Sequence, residues 1–426
     1  MTSIVIGLFI IGYLAIIFEH YFNVNKSATA LITAVLCWTA IMVTSSEKEV
    51  IIHELSDHLT SVSEIVFFLL GAMTIVEIID SHDGFHLITD KIRTEKKSIL
   101  IWRISLVTFF LSAVLDNLTT TIVMATIVNK LIEEKKTKWL MLGLIVISAN
   151  AGGAWSPIGD VTTTMLWIGN QVSPLNIIQQ TFLSSLICMI IPTIIVSYMI
   201  KGTIKLRTDS LSNTNFNKSH FERNLFFFIG VGGLLFVPVF KTITHLPPYM
   251  GMLLSLGILW TLTEIIHSRK GENEKGLLSV SHALRKIDTP SILFFFGILM
   301  AIGSLAAINV LPELAHHLTN TLGSLENVAI GIGFLSAVFD NVPLVAALQG
   351  MYSLDVYPTD HYFWELLAYC AGTGGSCLII GSAAGVAVMG MAKIDFFWYL
   401  KKISWVAVIG YLSGALFFIA QHAIIF

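Results

Sequence analysis

The chain has 426 residues, of which 55% are hydrophobic and only 12% charged, with 25 Lys and Arg against 28 Asp and Glu and a mean hydropathy of +0.78. Soluble domains carry roughly 25% charged residues, so a soluble globular protein is excluded, and the near-neutral charge gives no footprint for nucleic acid. Apolar runs long enough to cross a hydrocarbon core of about 30 Å recur along the whole length. They lack the apolar–polar alternation of barrel strands, so the chain reads as an all-α polytopic membrane protein.

These runs fall near 3–20, 27–44, 61–80, 99–130, 139–170, 178–200, 224–240, 249–267, 290–310, 328–351, 364–390 and 403–425. The first, Ile4 to Phe18, lacks a basic n-region and a small-residue cleavage site, and is read as a retained helix. Cys37, Cys188, Cys370 and Cys377 lie in apolar stretches without paired spacing and read as small core residues. His53, His58, His82 and His86 read as solvated loop residues; His53 and His58 are five apart, not the four of the zinc motif. Trp102, Trp139, Phe363 and Trp364 read as interfacial anchors.

Two runs repeat a phrase. Ser112-Ala-Val-Leu-Asp-Asn117 and Ser336-Ala-Val-Phe-Asp-Asn341 agree at five of six positions. Each is followed by a glycine-rich break, Asn150-Ala-Gly-Gly-Ala-Trp-Ser-Pro-Ile-Gly-Asp160 and Gly372-Thr-Gly-Gly-Ser-Cys-Leu-Ile-Ile-Gly-Ser382, so the chain is internally duplicated. Trp102 to Val128 is 27 residues, whereas two full spans need roughly 40. One straight helix would strand Asp116 and Asn117 in mid-membrane. Each phrase is therefore predicted to be the tip of a re-entrant hairpin, with tips at 112–121 and 336–343. Such backbone is tolerated only where it packs in protein or lines a cavity.

Charge gives the orientation. With both hairpins folded back, all Lys and Arg except Lys48 and Lys241 fall on one side, 23 of 25. That side is cytoplasmic, and it includes Lys26, Lys91, Arg93, Lys96, Lys97, Arg103, Lys130 and the 201–223, 269–286 and 393–402 groups. The first hairpin enters from the cytoplasm and the second, flanked by Glu313, Glu326, Asp355 and Asp360, from outside. The halves thus form an inverted-topology repeat, the plan of many secondary transporters. The expected divisions are scaffold helices 1–60, a first repeat 61–200 with its broken helix at 140–170, and a cytoplasmic linker 201–223. Second-half scaffold helices follow at 224–289, then a second repeat 290–426 with its broken helix at 364–390. The protein is expected to be multi-pass in the inner (plasma) membrane, with both termini extracytoplasmic.

The chemistry sits in the repeats. A carboxylate at the bilayer centre costs at least about 2.5–3.5 kcal/mol, so Asp116 and Asp340 at matched positions point to a function, although each could serve only as a helix N-cap. Asn117, Asn341, Thr119, Thr120, Thr121, Ser112 and Ser336 add oxygen ligands. Pro343 removes a backbone donor and is expected to hold the second tip open. Asn150, Gly152, Gly153, Ser156 and Pro157, with Gly372, Thr373, Gly374, Gly375 and Ser376, are expected to break their helices and expose carbonyls. Glycine there could equally mean close packing. Asp160, matched by Ser382, is a third buried carboxylate. Three acids with no basic partner in the motifs suit a hard cation and protons, whereas an anion site would want Arg, Lys or free helix N-termini. Na⁺ is therefore expected at Asp116, Asp340 and Asp160. Glu64 and Glu77 are candidate proton relays, and Glu77 could equally be paired with a loop base. No metal-ligand cluster or nucleophile–base set points to an enzyme; a passive channel remains an alternative.

At these motifs the sequence resembles the NhaD-type Na⁺/H⁺ antiporters of the ion-transporter superfamily, which also holds arsenite exporters and divalent-anion symporters. The carriers are Ser112 to Thr121, Asn150 to Asp160 and Ser336 to Pro343. The resemblance implies a homodimer, a mobile core of two hairpins and two broken helices, elevator-like alternating access, exchange of Na⁺ or Li⁺ for H⁺, and no cofactor. The dicarboxylate branch shares the layout but carries Ser-Asn-Thr at its hairpin tips where this chain has Asp-Asn. Arsenite or a dicarboxylate is the alternative cargo.

Overall fold

Helix starts in this chain are fixed by side chains that take up the first free N–H groups. Asn25, Asp288 and Asp395 each cap a helix through the side chain. Pro174, Pro248 and Pro290 occupy first turns, where a missing N–H is harmless. The computed structural model describes residues 2–19, 24–85, 87, 92, 94–200, 202–204, 220–268, 276 and 278–425. His86, Lys91, Arg93, most of the expected 201–223 linker and residues 269–275 lie outside them.

Regular structure among the described residues is helical, apart from one isolated bridge between Lys96 and Thr203. The first half comprises α1 (Thr2–Ile17), α2 (Lys26–Thr44), α3 (Lys48–Ser81), α4 (Lys97–Leu115), α5 (Asn117–Leu131), α6 (Lys135–Ala154), α7 (Val161–Ile168) and α8 (Pro174–Met199). Next come α9 (His220–Thr244), α10 (Pro248–His267), α11 (Val280–Lys286), α12 (Thr289–Ala307), α13 (Val310–Leu322), α14 (Leu325–Ser336) and α15 (Asn341–Met351). The chain closes with α16 (Tyr362–Gly374), α17 (Ala383–Ala392), α18 (Phe396–Tyr399), a π-helical turn (Leu400–Ser404) and α19 (Trp405–Ile425). Among the described residues, eight helices are long and apolar enough to cross a membrane, counting Phe396–Ile424 as one.

Contacts gather the connections at two ends. At the first, Lys97 Nζ lies 2.6 Å from Glu134 Oε2, so α4 starts where α5 finishes. Lys286 Nζ is 3.0 Å from Glu77 Oε1 near the finish of α3. The His82 ring packs against those of Phe226 in the second turn of α9 and His267 at the finish of α10. At the second end, Tyr362 Oη donates to Glu326 Oε1 at the start of α14 (2.9 Å), and the Tyr352 ring, just past α15, lies 5.4 Å from that of Tyr357. Lys241, near the finish of α9, donates there to the Trp167 carbonyl (3.2 Å), and Thr359 donates to the Asn170 carbonyl (2.7 Å). The pair α4–α5 is thus based at the first end, and α14–α15 at the second.

Some expectations need correction. Helix α3 has 34 residues and runs through the expected boundary at 60, carrying His53 and His58 on a helix rather than in a loop. At 1.5 Å per residue such a helix is about 50 Å long, so its polar first third has room outside an apolar layer. His82 is buried, not solvated. Phe363 and Trp364 are also fully buried, the indole donating to the Tyr357 carbonyl at 3.0 Å, so they are core residues rather than anchors. Pro343 lies inside the first turn of α15 and so helps start the helix instead of opening the tip. The four cysteines are buried and free, as their spacing implied.

Candidate ion-binding site

The duplicated phrases make duplicated contacts. Ser112 Oγ donates to the Ala149 carbonyl of α6 at 2.6 Å, and Ser336 Oγ donates to the Ala371 carbonyl of α16 at 2.8 Å. Three residues further along each partner helix, a glycine allows backbone to touch backbone. A Cβ at Gly152 would lie 2.1 Å from the Phe109 carbonyl oxygen, and one at Gly374 would lie 2.1 Å from that of Gly333. These glycines are therefore packing residues. Asn150, Gly152 and Gly153 remain inside α6, and Gly372, Thr373 and Gly374 inside α16, contrary to their expected place in the breaks. The breaks follow, at 155–160 with Ser156 and Pro157, and at 375–382 with Gly375 and Ser376. Because Ser112 and Ser336 make one equivalent bond each, Ser112→Ala and Ser336→Ala are expected to lower stability equally, by about 1 kcal/mol. Thermal melts of purified protein check this; unequal losses would show that the two clamps are not equivalent.

Four helix N-termini meet at the site, and each is closed by its own side chain: Asp116 on α5, Asp160 on α7, Asp340 on α15 and Ser382 on α17. Asp116 accepts from Thr119 N–H and from Thr119 Oγ, both at 2.8 Å. Its backbone is at φ 75° and ψ 159°, a region nearly reserved for glycine and costing of order 1–3 kcal/mol. Asp340 has an ordinary backbone and accepts the Val342 N–H at 3.1 Å. Asp160 is buried at 2% exposure, and Asn341 Nδ2 lies 3.4 Å from its Oδ2. Asn150 joins the halves, accepting from Asn117 (3.1 Å) and donating to Ser376 (2.9 Å) and Ser382 (3.0 Å).

A cavity of about 60 Å³ is lined by Asp116, Asp160 and Asp340, with Asn117, Asn341, Thr119 and Ser382 among its other walls. The three predicted carboxylates are brought together, as are both tip amides. Thr120 is buried and is not part of this lining. Glu64 and Glu77 bracket the stretch of α3 that contributes Phe68 to Val76 to the wall; Glu77 is ion-paired with Lys286. A larger cavity of about 560 Å³ shares Thr119, Asp340 and Ser382 with the first and continues past Lys26, Glu77 and Lys286. Sequence reasoning missed Lys26, whose Nζ lies 3.3 Å from Asp340 Oδ2. A lysine opening an apolar run reads as an orientation charge, and nothing in its neighbours signals a partner 314 residues away.

Among the described residues, apolar helices long enough to span a membrane surround a buried polar cavity, as in a polytopic membrane protein with an internal site. The family model described as "Citrate transporter" matches residues 13–369. Sodium/proton antiporter 1 of Arabidopsis thaliana is 50% identical over 417 residues, covering 97% of this chain and 72% of the relative. Sodium/proton antiporter 2 of the same plant is 48% identical, covering 97% and 98%. The Na⁺/H⁺ antiporter NhaD of Vibrio cholerae is 30% identical over 451 residues, covering 98% and 90%. The chain belongs to this transporter family, and within it to the NhaD-type Na⁺/H⁺ antiporters.

Proposed function

We propose that the protein exchanges Na⁺ (or Li⁺) for H⁺ at the Asp116–Asp160–Asp340 cavity, moving Na⁺ out of the cytoplasm as protons enter. The observation that carries this reading is the closure of all four helix N-termini by Asp116, Asp160, Asp340 and Ser382. In a citrate carrier those N–H groups would be the anion's natural partners; here a carboxylate or a hydroxyl already takes one of them at each helix start. Size argues the same way. The cavity that all three carboxylates line is about 60 Å³, which suits an ion with a few waters; the adjoining cavity of about 560 Å³ reaches only Asp340 of the three. The names of the relatives agree with it.

A carboxylate kept from water must be neutral or paired, and a proton and Na⁺ are the partners that alternate. The three acids offer one shared set of oxygens, and the carbonyls of the breaks at 155–160 and 375–382 supply further ones. Mutually exclusive occupancy then gives exchange without a chemical step. Bases at opposite ends and matched serine and glycine contacts support an inverted repeat, with two re-entrant hairpins and two broken helices moving as one body against the other helices. The cavity beside Lys26 and Lys286 opens toward the lysine-rich end, which fits a cytoplasm-facing state in an inner membrane. The homodimer rests on the family resemblance.

Energised everted vesicles test the reading. Na⁺ or Li⁺ should collapse the pH gradient while citrate and arsenite leave it unchanged. Silence toward every cation, with citrate or arsenite transported, would replace it with the anion reading.

A further inference from the structure

We propose that Lys26 is a tethered substitute cation: its ammonium holds the Asp340 carboxylate when the transported ion has left, and Na⁺ enters by displacing it. The inference rests on the antiport reading and adds a residue outside every duplicated motif. Lys26 Nζ lies 3.3 Å from Asp340 Oδ2 and 4.3 Å from the centre of the Phe294 ring. Asp116 and Asp160 are met by neutral groups, Thr119 and the Asn341 amide. Asp340 alone of the three faces a described cation at salt-bridge distance.

Position makes the pairing informative. Lys26 is the first residue of α2, where the helix dipole disfavours a positive charge. The Asn25 side chain caps that terminus, and the Lys26 N–H donates to Glu19 Oε2 at 3.0 Å. The backbone is thereby held while the flexible four-carbon stem reaches the hairpin tip. The Lys26 and Asp340 side chains are 32% and 22% exposed, on the wall that the small cavity shares with the larger one. A half-solvated pair of this kind is weak enough to exchange, and a lysine is a mobile point charge rather than a fixed fork. Helix α2, in the expected scaffold segment 1–60, packs against α1 and α12, and the Lys26 contact ties it to the second tip.

Lys26 is thus a positioning residue that sets apparent Na⁺ affinity, and the KM for Na⁺ in everted vesicles reads it. Lys26→Met and Lys26→Gln are expected to lower that KM by about 3- to 5-fold, the size of an exposed ion pair. Lys26→Arg, which pairs a carboxylate more tightly, is expected to raise it at least about twofold. A purely structural role would lower the maximal rate and leave KM in place. Unchanged or raised KM in the neutral variants overturns the inference while the wild type still responds to Na⁺. Should neither neutral variant reach the membrane, an Arg variant with wild-type KM overturns it equally. A wild type blind to Na⁺ removes the antiport reading and this inference together.

Discussion

Asp116→Asn is expected to leave a folded, membrane-inserted protein that no longer exchanges Na⁺ for H⁺. Asparagine caps helices as well as aspartate does, so α5 keeps its start, with a stability change below about 1 kcal/mol. Asparagine has nearly the same size and shape as aspartate, so the strained backbone of Asp116 at φ 75° and ψ 159° costs both residues about the same. The amide oxygen can still accept the Thr119 bonds. What disappears is one negative charge and one proton acceptor in a cavity that has three. Removing one partner from a buried ion pair costs about 3–5 kcal/mol, which at 1.4 kcal/mol per decade is a loss of about 100-fold or more. The pH-gradient assay in everted vesicles, normalised to protein in the membrane, reads it directly. Retention of more than about a tenth of the wild-type activity would take Asp116 out of the site.

The second large effect is steric. Gly152→Val and Gly374→Val are each expected to abolish recovery of folded protein. Both new side chains would be driven into carbonyl oxygens 2.1 Å from the Cβ position, those of Phe109 and Gly333. Overpacking a core by a methylene or two costs about 1–3 kcal/mol when side chains can give way; here the obstacle is helical backbone, which moves only if the hairpin separates from its partner helix. Gly232 and Gly257 have nothing within 4 Å of a Cβ and serve as controls that tolerate alanine. Size-exclusion profiles of detergent-solubilised protein check the contrast. A monodisperse Gly152→Val peak at wild-type height would refute the close approach of α4 and α6.

Much of this arrangement was legible in the sequence because membrane burial makes polar residues conspicuous. Asp116, Asp160 and Asp340 stood out against apolar runs, and the repeated phrase pointed to where the chain would turn; the Lys97–Glu134 pair brings the start of α4 beside the finish of α5. The glycines were harder to read. Unwinding and close packing both call for a residue without a Cβ, and only the carbonyl opposite Gly152 distinguishes them. Histidines and aromatics were misjudged for a related reason. Periodicity cannot say whether a helix end meets lipid, water or another helix, and His82, Phe363 and Trp364 meet protein. Lys26 was invisible as a site residue because its partner is distant in sequence. Among buried neutral groups, the Asn150 bridge between the halves could be found only by seeing Ser376 and Ser382 beside it.

The central claim is that Na⁺ and H⁺ compete for one set of carboxylates, and the most direct test is proton release from the purified protein. Na⁺ would be added to wild-type protein in weakly buffered detergent solution while a pH dye is followed. The account predicts that Na⁺ drives protons off the protein, that choline does not, and that Asp116→Asn reduces or removes the release. Saturable Na⁺ binding without any proton release would contradict it.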